Sequence, residues 1–110
     1  MNPLIERLEK MRAAGTDNLL LRFGLGQAYA EAGQYEQAIA NLEQAIAFDP
    51  KHSSSWFWLG RARYEHGQLD EAEKTLQQAV VVATEKGDVQ TSKMAQVFLK
   101  RVGKARGEPG

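Results

Sequence analysis

The feature that most restricts this chain is an internal duplication. Residues 19–52 and 53–86 align without a gap as two blocks of 34 residues. Eleven places carry the same residue in both blocks: Phe23/Phe57, Leu25/Leu59, Gly26/Gly60, Ala28/Ala62, Glu31/Glu65, Gly33/Gly67, Gln34/Gln68, Ala38/Ala72, Leu42/Leu76, Gln44/Gln78 and Ala45/Ala79. A repeat of this period is one small supersecondary unit. It cannot bury its apolar face alone, so its copies stack on one another.

The periodicity inside each block is helical. In the first, Leu21, Leu25, Ala28, Tyr29 and Ala32 recur at helical spacing, and Gly33 ends the run. Tyr35, Ala38, Ile39, Leu42, Ala45 and Ile46 then form a second amphipathic helix, stopped by Asp49-Pro50. The second block repeats the arrangement with Trp56, Leu59, Gly60 and Arg63, then Gly67, then Leu69, Ala72, Leu76, Ala79 and Val80. Apart from the short run Val80–Val82, which lies inside a helical phase, no stretch alternates with period two, so no strand is predicted. The recurring small residues Gly26/Gly60, Ala38/Ala72 and Ala45/Ala79 are expected where the two helices of a hairpin approach closely.

These residues and their spacing resemble the tetratricopeptide repeat, whose pattern runs Trp-x2-Leu-Gly-x2-Tyr, then Ala-x3-Phe, then a later Pro. The first block supplies Leu25, Gly26, Tyr29, Ala38, Leu42, Ala45 and Pro50 in phase. The second supplies Trp56, Leu59, Gly60, Gly67, Ala72, Leu76 and Ala79. Arg22 stands at the Trp place, Arg63 at the Tyr place and Thr84 at the Pro place, and these depart from the pattern. The resemblance implies an all-α, right-handed superhelical stack of antiparallel helix hairpins, forming one domain of units 19–52 and 53–86.

The flanks complete the stack. Residues 3–14 read as a helix with Pro3 in its first turn. Counted back by one period, Leu4, Leu8 and Met11 occupy the places of Ala38, Leu42 and Ala45, as the second half of a truncated repeat would. At the other end, Asp88 is expected to cap a last helix within 87–105. Its apolar face would be Met94, Val97, Phe98, Arg101 and Val102, where a third unit begins. Six helices in three layers, closed at both ends by amphipathic caps, follow, with a frayed tail at 106–110.

Several function classes drop out. There is no Cys and there are only two His residues, so thiolate and His-rich metal sites are not expected. No Gly-rich phosphate loop, His-Glu-x-x-His pair or Gly-x-Ser-x-Gly elbow is present, so the chain reads as non-catalytic and without a cofactor. His52 and His66 fall at turns and helix ends, and Glu31 and Glu65 recur as a solvated rim rather than a catalytic pair. The formal net charge is zero, which argues against a dedicated nucleic-acid binder. By segment the net charge is 0 for 1–18, −2 and −1 for the two blocks and +3 for 87–110. The basic tail of Lys93, Lys100, Arg101, Lys104 and Arg106 is read as cations complementing a helix C-terminus. No apolar run is long enough to span a membrane, and the N-terminus lacks the apolar core of a secretory signal. If Met1 is the native start, a cytoplasmic location is expected; otherwise the compartment is open.

The resemblance implies that the concave face, lined by the first helix of each unit, holds an extended or helical segment of a partner protein. The expected partner-binding residues are Phe23, Gln27, Phe57, Trp58, Arg61 and Tyr64. Trp56 and Trp58 lie about 200° apart on a helix, so if Trp56 enters the core with Leu59 and Gly60, Trp58 faces the groove. Some relatives grip a chaperone's C-terminal carboxylate with a Lys/Asn/Arg clamp. The corresponding places here are Phe23, Gln27, Trp58, Asp88 and Ser92, none of clamp type, so that mode is not expected. The alternative is a self-association module whose groove is filled by another subunit or by the chain's own last helix. Monomer or weak homodimer are both compatible with the sequence.

Overall fold

A computed structural model describes residues 2–108. It contains six helices: α1 (Pro3–Ala13), α2 (Leu19–Glu31), α3 (Tyr35–Phe48), α4 (Ser53–Glu65), α5 (Leu69–Lys86) and α6 (Val89–Ala105). The described residues contain no strand. Local chemistry fixes the ends. The side chains of Asn2, Asn18 and Asp88 accept hydrogen bonds from backbone N–H groups in the first turns of α1, α2 and α6. Gly33 and Gly67 turn the chain between hairpin helices with φ of 76° and 83°, a region that costs a side chain-bearing residue strain.

Two hairpins, α2–α3 and α4–α5, form the body, and each interlocks through a glycine. A Cβ built on Gly26 would lie 2.6 Å from Leu42 Cδ2, and one on Gly60 would lie 2.6 Å from both Leu76 Cγ and Cδ2. The absent side chain lets a leucine of the facing helix seat against backbone, and Leu42 and Leu76 are fully buried there. The core divides into one cluster around Leu21, Leu25, Tyr29 and Leu42 and another around Phe57, Leu76, Phe98 and Val102.

The N-terminal helix keeps the repeat register. Tyr29 Oη donates to Glu9 at 2.5 Å, and Arg63 Nη2 donates to Glu43 at 3.0 Å. Both partners differ by 34 places, so α1 meets α2 as α3 meets α4. Its apolar face is nevertheless left open. Ile5 is the buried residue of α1, while Leu4 and Met11 are 43% and 42% exposed. They lie on a part of α1 that no other described helix covers. The expectation of two closed ends is corrected on this side.

The C-terminal helix leaves the register. The capping residues Asn18 and His52 are 34 apart, but His52 and Asp88 are 36 apart. Without a proline at Thr84, α5 runs for 18 residues against 14 for α3, and α6 starts late. A shift of two residues turns a helix by about 200° about its axis. The face expected to be apolar is therefore split. Thr91, Ala95, Phe98 and Val102 pack inward, while Met94, Val97 and Arg101 are exposed. Ser55, Leu59 and Ala62 of α4 correspond to Thr91, Ala95 and Phe98 at the new spacing of 36, and all six are buried.

Residues 106–108 close α6 instead of fraying. The Glu108 N–H donates to the Gly103 carbonyl at 2.9 Å. Arg106 donates to Asp70 at 2.6 Å, pairs with Glu73 at 3.0 Å, and reaches the Leu69 carbonyl at 3.2 Å. The rest of the expected frayed tail, 109–110, lies outside the described residues.

Candidate functional site

The α4 helix carries most of the side chains that chemistry marks for binding, but they divide into floor and wall. Phe57 is only 2% exposed, and its ring meets that of Phe98 edge-on with centroids 5.4 Å apart. The placing of Phe57 on an open groove is thus corrected: α6 arrives on top of it, and the ring is core. Trp58 is half-buried and packs against both core clusters, with its ring 6.0 Å from that of Phe57. Tyr64, also half-buried, meets Phe98 at 5.9 Å.

Trp56 does not enter the core as expected. It is half-buried, and its indole N–H donates to the Pro50 carbonyl at 2.8 Å, at the protein surface. A tryptophan that must satisfy its N–H settles at the edge of an apolar cluster, where a loop carbonyl is within reach.

Arg61 ties the face together. Its guanidinium carbon stands 4.7 Å from the centre of the Trp58 ring and 5.4 Å from that of Phe98, and its Nε reaches Glu65 at 3.3 Å. On the first unit the face is sparser. Phe23 is half-buried and turns edge-on to the His52 ring at 5.0 Å, Gln27 is half-buried beside it, and Leu20 is 76% exposed. Burial and the nearby Lys86 push the His52 imidazole below its usual range, favouring the neutral ring, and its Nδ1 lies 2.6 Å from Ser55 Oγ. A cavity of about 510 Å³ opens beside the strip, lined by Tyr35, Tyr64, Glu65, Gly67, Leu69 and Ala105.

Two participants were not assigned to this face from sequence: Phe98, which floors it, and Arg101, whose guanidinium carbon stands 4.4 Å from the Phe98 ring centre. Their i, i+3 spacing was visible, but the turn of α6 about its axis was not. Among the described residues no three His, Asp or Glu side chains converge as a metal site, and no helix is long and apolar enough to cross a membrane.

Comparison with known proteins agrees with this architecture. Residues 23–88 match the sequence profile of the tetratricopeptide repeat. The TPR repeat-containing protein PA0015 of Pseudomonas aeruginosa is 45% identical over 103 residues, covering 94% of this chain and 98% of that protein. The solution structure of protein BPP2914 from Bordetella parapertussis superposes with a TM-score of 0.84 at 42% identity, over 96% of this chain and 91% of that one. The second TPR domain of human RPAP3, solved in complex with the HSP70 peptide SGPTIEEVD, superposes with a TM-score of 0.77 at 28% identity, over 89% of this chain and 77% of that one.

Proposed function

The chain belongs to the tetratricopeptide repeat family, and from that premise we propose that it is a non-catalytic interaction module that holds a peptide segment of a partner protein on its concave face. The observation that carries this reading is the row Trp58, Arg61 and Tyr64 on α4, which stays half-buried although Phe98 of α6 packs against Arg61 and Tyr64. Aromatic and guanidinium groups held in place by a packed floor contribute most per residue at interfaces, because little rotamer freedom remains to be lost on binding. Phe23 and Gln27 extend the row onto α2, while Phe57 supports it from beneath. The peptide complex of the RPAP3 domain supports the mode by similarity of fold. The carboxylate-clamp mode gains no support. The third-unit places move with the shift of α6 to Gln90 and Met94, and Asp88 serves as a helix cap.

The test is affinity capture from the native cell with chemical crosslinking. The parent chain is compared with Trp58→Ala and Tyr64→Ala, each first shown to be folded by circular dichroism. A protein crosslinked by the parent and lost with both variants supports the reading. Equal capture by all three sinks it. Self-association is the second reading, favoured by the open Leu4–Met11 edge of α1. Sedimentation over a wide concentration range separates the two, since a dimer built on that edge dissociates with Leu4→Lys and a monomer does not change.

A further inference from the structure

Resting on that reading, we infer that the α4–α6 half of the face selects an acidic peptide segment, in which side-chain carboxylates flank large apolar residues. The central observation is that two guanidiniums, Arg61 from α4 and Arg101 from α6, reach the ring of the single residue Phe98, at 5.4 and 4.4 Å. A guanidinium drawn to an aromatic face is oriented by the ring while its N–H groups stay available. That is the arrangement a planar fork needs to take a carboxylate. Arg61 already shares its charge with Glu65 at 3.3 Å, whereas Arg101 has no carboxylate partner among the described residues.

The charge of α6 extends the point. Lys93, Lys100, Arg101 and Lys104 are all exposed and have no salt-bridge partner among the described residues, in contrast to Arg106. Complementing the helix C-terminus accounts for Lys104, in the last turn. It does not account for Lys93, which lies near the start of the helix. The segment 87–110 carries net +3 while the two repeats carry −2 and −1, so the molecule's own field draws an acidic chain toward α6 and away from α3 and α5.

The apolar component is on the same side of the helix. Met94 and Val97 are 37% and 48% exposed between Lys93 and Arg101, and the cavity at Tyr64, Leu69 and Ala105 lies one turn beyond Arg101. The exposed face of α6 thus sets Met94 and Val97 between Lys93 on one side and Lys100, Arg101 and Lys104 on the other, and a ligand matching it sets apolar residues beside acidic ones. A nucleic acid fits less well, because one cationic helix beside Glu65, on a chain whose two repeats carry −2 and −1, offers few phosphate contacts.

The experiment selects binders from a random dodecapeptide phage library, in which no free C-terminus is presented, on the immobilised full chain. The targets are the parent, Arg101→Gln, Arg101→Glu and Trp58→Ala. Selected sequences are then made as C-terminally amidated, fluorescein-labelled peptides and titrated by anisotropy. The parent is expected to enrich Asp or Glu within one helical turn's length of a Leu, Ile, Met or Phe. Affinity should fall about fivefold or more with Arg101→Gln, and also as salt rises from about 50 to about 500 mM. Arg101→Glu should shift the selection toward Lys and Arg, a change of preference that a merely destabilised fold would not produce. Enrichment without acidic residues, or equal affinity for the parent and Arg101→Gln, overturns this inference and leaves the groove reading intact provided Trp58→Ala still loses the peptides. If no peptide is enriched, or Trp58→Ala binds as the parent does, the groove reading fails and this inference with it. A dodecamer of oligoadenylate RNA that binds more tightly than the best peptide, and depends on Arg101, also overturns it.

Discussion

Gly60 and Leu76 meet with no space for a side chain between them: a Cβ at Gly60 would stand 2.6 Å from Leu76 Cγ and 3.3 Å from the Leu76 amide nitrogen. The obstacle is the branch point and the backbone of Leu76 rather than a flexible tip, so α4 and α5 would have to separate.

Gly60→Leu should therefore destabilise the chain by about 1–3 kcal/mol, as overpacked cores do. The loss should appear even though a helical glycine is itself about 1 kcal/mol worse than alanine. Urea unfolding followed by circular dichroism measures it; a variant as stable as the parent would place Gly60 away from the hairpin contact.

Phe98 holds α6 to α4 through Phe57 and Tyr64. Phe98→Ala should cost about 3 kcal/mol, the lower end for a buried phenylalanine, because one edge of the ring remains at the surface. Removal of residues 88–110 should do more, uncovering Phe57, Leu76 and Ala79, which share a core cluster with Ala95, Phe98 and Val102, and the shortened chain should associate or melt at lower temperature. A truncated chain that stays monomeric and melts unchanged would deny α6 its capping role.

Tyr29 is buried and hydrogen-bonded to Glu9, and its phenol is pushed up to about 12, by loss of hydration first and by the carboxylate second. The folded value lies above the ordinary one near 10, so the stabilising contribution is complete below about 10 and is lost as the pH rises through about 12. Ultraviolet titration should show one tyrosinate forming near 12 that is absent from Tyr29→Phe and moves down in Glu9→Gln.

His52 shifts in the opposite direction, held neutral by burial and then by Lys86. Its contribution to stability is complete above the ordinary value of 6.5 and is lost as the pH falls through the lower folded value. Denaturant unfolding at pH 7.5 and 5.5 should show a decline that His52→Gln removes. The carboxylates held low by their partners, Glu9, Asp17 and Asp88, titrate below that window and leave the comparison clean. An identical decline in the variant would assign the effect elsewhere.

Helix positions and hairpin contacts were legible in the chain because they are local or exactly repeated. Asn18 before an apolar run, Gly33 and Gly67 after one, and a glycine facing a leucine at the same places in both blocks state a helix hairpin without any tertiary information. The register of α1 was equally legible, since Leu4, Leu8 and Met11 stand one period before Ala38, Leu42 and Ala45, and the Glu9–Tyr29 and Glu43–Arg63 contacts keep that period. Tertiary structure decided which way α6 faces. A helical wheel fixes which residues share a side but not which side meets the neighbour; that depends on where the preceding helix stops, and α5 passes the place where Pro50 stops α3. The resulting turn of α6 drives Phe98 onto Phe57, takes Phe57 from the open face into the core, and brings Arg101 to the rim beside Arg61. Trp56 and Trp58 were separated correctly by angle, yet both finished half-buried, because the indole N–H of one found the Pro50 carbonyl and the ring of the other had to cover the seam between two core clusters.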